Sequence, residues 1–113
     1  MNKITLTFLF TILFVSISFS QSPQGKEVNI SGRVIDQQSG QPLEYATIAF
    51  FSKQQNKIVT GGITDANGNF SIPVQTGTYN VTVEFISFKT ETLPDKQITK
   101  NENLGTISLA EDV

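Results

Sequence analysis

After the first twenty positions, apolar and polar residues alternate in twos along most of this chain, and clusters of Gly, Pro, Asn, Asp and Ser interrupt them at short intervals. That period belongs to strands whose side chains point alternately to two faces. Val28, Ile30 and Val34 keep it, with Gly32 among them, until the cluster from Asp36 through Gly40 to Pro42 turns the chain. From Tyr45 to Phe51, Tyr45, Thr47, Ala49 and Phe51 share one face and Ala46, Ile48 and Phe50 the other. Both faces are largely apolar, which predicts a strand inside a sandwich. A polar loop, Ser52 to Asn56, leads to a third strand from Lys57 to Thr64, weakened by Gly61 and Gly62.

Asp65-Ala-Asn-Gly68-Asn69 is the sharpest turn, and Phe70, Ile72 and Val74 alternate directly after it, which predicts a hairpin. Gln75-Thr-Gly77-Thr turns the chain again, and Tyr79, Val81, Val83 and Phe85 form the cleanest strand. A shorter strand from Phe88 to Leu93 is expected to end at Pro94, and the last runs from Leu104 to Leu109. No segment repeats apolar residues at helical spacing. The pattern predicts an all-β fold, a seven-stranded antiparallel β-sandwich. Gly40, Gly68 and Gly77 are expected to supply positive φ at reversals, and Phe70 and Tyr79 to fill the core.

The first twenty residues obey another rule. Lys3 is their one charge, and an apolar run from Ile4 to Phe19, broken by Thr and Ser, follows it. A basic start, a short apolar stretch and small residues describe a secretory signal peptide, with Ser18 and Ser20 at the −3 and −1 positions of a cut before Gln21. A stable membrane span needs about 20 apolar residues, more than this diluted run provides. The expected organisation is a cleaved leader at 1–20, a polar linker at 21–26, the sandwich at 27–110, and at 111–113 the start of a linker or the chain end.

Composition narrows the chemistry. The 113 residues include no His, Cys or Trp, so no His relay, disulfide, thiolate zinc site or lipid-modified cysteine is available. Eight basic side chains stand against ten acidic ones, and the sequence pI is near 4.9, which disfavours a nucleic-acid surface. Asp65, Asn67 and Asn69 alternate like the start of a calcium loop. Gly68 stands fourth instead of sixth, however, and the twelfth residue is Thr76 instead of Glu, so a self-capped turn is expected. No Ser lies in a nucleophile motif, and Glu84 reads as a surface position within a strand. Phe50, Phe51, Phe85 and Phe88 read chiefly as core, with Phe51 and Phe88 the rings to watch for stacking or docking, since neighbours in a strand face opposite ways. Asn29-Ile-Ser31 and Asn80-Val-Thr82 match the glycosylation pattern, but both fall in predicted strands. No catalytic, cofactor-binding or metal-ligating residue is assigned, and no cofactor is expected.

Five segments follow one another in order: Ser31-Gly-Arg-Val-Ile-Asp36, Ser39-Gly-Gln-Pro-Leu43, Ala46-Thr-Ile48, Thr64-Asp-Ala-Asn-Gly-Asn-Phe70 and Gly77-Thr-Tyr79. Together they resemble the carboxypeptidase-regulatory-like domain, a transthyretin-like β-sandwich, over about Val28 to Leu109. Glu44-Tyr45 and Phe85-Ile-Ser-Phe88 depart from the common form of that pattern. The form seen here looks like the module at the N-terminus of many TonB-dependent outer-membrane receptors of Bacteroidetes-type bacteria. It implies a non-catalytic periplasmic extension, partnered by the plug and barrel of such a receptor or by another envelope protein. A stand-alone secreted or periplasmic module binding carbohydrate or protein is the alternative. Either way the chain is expected to be exported to the periplasm or outer membrane.

Overall fold

A computed structural model describes residues 25–113. The leader at 1–20 lies outside the described residues, as does most of the linker at 21–26. Seven strands follow in order: β1 (Glu27–Asp36), β2 (Thr47–Ser52), β3 (Lys57–Ile63), β4 (Asn69–Gln75), β5 (Gly77–Glu84), β6 (Glu91–Ile98) and β7 (Glu102–Leu109). They form two sheets, β4-β1-β7 and β3-β2-β5-β6. Every pairing is antiparallel except that of β1 with β7, which run parallel from Ile30 beside Glu102 to Asp36 beside Leu109.

The alternation read in the sequence decides which side chains meet between the sheets. Val28, Ile30 and Val34 of β1, Phe70, Ile72 and Val74 of β4, and Ile107 and Leu109 of β7 form one inner face. Ile48 and Phe50 of β2, Tyr79, Val81 and Val83 of β5, and Ile98 of β6 form the other. Phe50 and Tyr79 meet edge to face, their ring centroids 5.8 Å apart. Gly32 is where Phe70 needs room: a Cβ there would lie 2.5 Å from a carbon of that ring. Among the described residues, each buried side-chain polar atom has a partner. Thr64 shows how, since its Oγ1 donates to the Leu43 carbonyl and accepts the Ala46 N–H.

Four expectations are corrected. The Asp65–Asn69 turn joins β3 to β4, which lie in different sheets, so it is an inter-sheet corner and not a hairpin. Gly68 sits there at φ +78°, and a Cβ on it would fall 2.5 Å from the Val34 carbonyl oxygen; its own carbonyl accepts the Val34 N–H. Second, the strand expected from Phe88 to Leu93 is β6, displaced to Glu91–Ile98, with Pro94 inside it. That strand is a sheet edge, and Pro94 and Asp95 bulge opposite Asn80, where no ladder N–H is required of a proline. Third, Tyr45 does not open β2 but stands in the preceding turn at φ +68°, so β2 buries only the face bearing Ile48 and Phe50. Fourth, positive φ occurs at Gly40 and Gly68 but not at Gly77.

Candidate functional site

The Asp65 turn is held by its own atoms. Asp65 Oδ1 accepts the N–H groups of Asn67 and Asn69, both at 2.9 Å, and the Asp65 carbonyl accepts the Gly68 N–H. The carboxylate thus replaces the backbone partners that a five-residue corner leaves without a ladder. Arg33 Nε adds a bond to the Asn67 carbonyl. The two sequon asparagines are also structural: Asn80 Oδ1 accepts the Asp95 N–H in the β6 bulge, and Asn29 pairs with Ser71 across β1 and β4. Burial pushes the Tyr79 phenol above its ordinary pKa of 10.0, and its O–H donates to the Gln75 carbonyl.

The aromatic residues divide by position. Phe50 is wholly core, whereas Phe51 is half-buried on the outer face of the four-stranded sheet. Phe85 and Phe88 follow β5, are half-buried, and pack with centroids 5.5 Å apart at an interplanar angle of 66°. Around them lies an open groove of about 620 Å³, to which Glu44, Tyr45 and Thr47 contribute from the turn into β2, and Glu84, Phe85, Ile86 and Phe88 from the end of β5. Of the two rings flagged in the sequence, Phe88 lines this groove and Phe51 does not. Glu84 is exposed, as expected, and borders it.

Sequence reasoning missed Tyr45 and Ile86, both of which project into solvent. The alternation runs through Tyr45 and sets it in register with Thr47, whereas its backbone at φ +68° belongs to the turn. The signal for Ile86 is a break: directly after β5, Phe85 and Ile86 set two apolar residues side by side, and the alternation stops. Ser87 takes φ +70° there, Phe88 N–H bonds to the Phe85 carbonyl, and the loop turns Ile86 outward.

The sequence profile of the carboxypeptidase regulatory-like domain matches residues 29–110. The chain belongs to that family. No curated protein sequence matches it. Solved structures show the same fold at low identity. A chain of a type II cohesin–X-dockerin complex from Acetivibrio cellulolyticus is 22% identical with a TM-score of 0.60, the match covering 73% of this chain and 56% of that one. The 5-hydroxyisourate hydrolase of Klebsiella pneumoniae, a transthyretin-like protein, is 20% identical with a TM-score of 0.55, over 71% of this chain and 89% of that one. The 3-chlorocatechol 1,2-dioxygenase of Rhodococcus opacus is 10% identical with a TM-score of 0.56, over 80% and 62%. This carboxypeptidase regulatory-like domain therefore spans little more than half the length of the cohesin-complex chain, and the likeness to all three is one of fold.

Proposed function

We propose that this carboxypeptidase regulatory-like domain is a non-catalytic, exported module standing in series ahead of the plug and barrel of a TonB-dependent outer-membrane receptor. The observation that carries the reading is the parallel pairing of β1 with β7. Because they run side by side in the same direction, the chain enters at the Glu27 end of the sandwich and leaves at the Leu109 end. A domain with its entry and exit at opposite ends fits between a leader and a following segment as an in-line link. Nothing in its chemistry calls for catalysis: the sequence holds no His or Cys, and the Asp65 carboxylate is engaged in its own corner.

Fractionating the native cells and blotting with an antibody raised to this domain tests the proposal. A large band in the outer membrane is the expected result. A soluble band below 12.4 kDa in the periplasm or medium would instead establish a domain that acts alone, and the receptor reading would fall.

A further inference from the structure

The end of the sandwich where the chain leaves β7 also exposes its apolar side chains. Ile86 is 82% exposed and Tyr45 66%. Ile63, 59% exposed, adjoins them through the register Ile63–Thr47–Glu84 on the outer face of the four-stranded sheet. Single exposed apolar residues are unremarkable, but a contiguous set around a groove marks a contact surface.

We propose that this groove binds an extended segment of a partner protein, one that places a Lys or Arg beside an apolar side chain. The inference goes beyond the receptor reading and does not depend on it. Three features choose the occupant. The floor, made by Phe85 and Phe88, is apolar and half-buried, so it rewards an apolar side chain laid against it. Both charged residues lining the groove, Glu44 and Glu84, are carboxylates, and neither is ion-paired among the described residues, where Lys53–Asp95 and Lys96–Glu102 are the ion pairs. A cation meets complementary charge there and can also lie over the exposed Tyr45 ring. The groove is open and shallow, a shape suited to a segment passing along it more than to an enclosed small molecule.

The surface is held ready. The Tyr45 N–H bonds to the Thr64 carbonyl, which fixes the turn that projects the ring. The segment after β7 pins the other wall, since Lys89 N–H bonds to the Ala110 carbonyl, Asp112 N–H to the Ser87 carbonyl, and Phe88 bridges Glu111. A wall already ordered loses little freedom when a ligand arrives. Carbohydrate is the weaker occupant. Phe85 and Phe88 meet edge to face and are half-buried, which leaves Tyr45 as the exposed ring available for stacking against a sugar.

The test titrates the chain, as recovered from expressing cells, with two fluorescein-labelled Gly/Ser peptides of about ten residues. One carries Phe-Lys-Leu-Arg at its centre, and its twin carries Phe-Glu-Leu-Glu. The basic peptide should bind at least about tenfold more tightly than its twin, an advantage that shrinks as salt rises. Glu44→Gln with Glu84→Gln should remove most of that preference. Tyr45→Ser with Ile86→Ser should weaken binding of the basic peptide by about tenfold while leaving the melting temperature unchanged, because both side chains are exposed. Equal affinity for the twins, or no binding of either, would overturn the proposal. So would amide shifts at Tyr45 and Ile86 on adding cellohexaose but not the basic peptide, which would give the groove to carbohydrate.

Discussion

Gly40 and Gly68 hold nearly the same left-handed backbone angle, φ +75° and +78°, in very different surroundings. Nothing lies within 4 Å of where a Gly40 Cβ would stand, whereas the Gly68 position faces the Val34 carbonyl oxygen at 2.5 Å. Gly40→Ala therefore carries only the conformational cost, about 1–2 kcal/mol. Gly68→Ala carries that cost and also forces the corner away from β1, which strains the bond between Val34 N–H and the Gly68 carbonyl, for a total of about 3–4 kcal/mol. Thermal melts of the two variants check this, with each kcal/mol lowering the midpoint by about 4–8 °C in a domain of this size. Equal losses would mean that backbone conformation alone, and not contact with β1, decides the glycine at 68. The need for Gly68 was legible because turn chemistry is local. Its second reason, the approach to Val34, was not, because a sequence does not state which strand passes behind a turn.

Edges explain where the reading of elements succeeded and failed. The alternation of β5 was plain because β2 and β6 flank it and its inner face is core, so nearly every residue obeys one rule. In β6 that rule breaks at Pro94, which reads as a strand end yet sits in a bulge on an open edge. The Asp65 corner failed differently: its residues specify a reversal, while the choice of sheet is made by core packing on either side. The four edge strands are also protected unequally. β4 carries Pro73, β6 carries Pro94 and Asp95, and β7 is kinked at Gly105, φ +80°. β3 has neither Pro nor any charge after Lys57, and its register shift at Val59 brings Ile58 and Ile63 to the same outer face. Such an edge invites pairing with another chain. Ile58→Lys should therefore reduce light scattering in concentrated or heated samples, while folding stability stays within about 0.5 kcal/mol because the side chain is largely exposed. Unchanged scattering would mean that β3 is not the edge through which chains associate.

At the scale of the molecule, the fold was readable and the groove largely was not, for one physical reason. Core positions are constrained by a repeating period, but a surface site forms where several loops end, and Glu44, Tyr45, Ile86 and Phe88 come together only once β2 and β5 are paired. The parallel pairing of β1 and β7 was equally invisible, since it joins the first strand to the last. It has a mechanical consequence that bears on an in-line link. Tension applied through the two ends draws β1 toward Glu27 and β7 toward Leu109, so the two strands slide along each other. The short pairing of residues 110–112 with 87–89 peels first, and the load then falls on the six registered pairs from Ile30–Glu102 to Asp36–Leu109 together. Each backbone bond contributes only about 0.5–1.5 kcal/mol net, so resistance depends on how many must fail at once. Attachment at Glu27 and Gln75 instead opens the antiparallel β1–β4 ladder from its end, one pair after another. In a single-molecule pulling experiment, handles at residues 27 and 109 should require several times the unfolding force of handles at 27 and 75. Equal forces would show that β1 and β7 do not bear the load, and would remove the mechanical argument for placing this domain in series with a receptor.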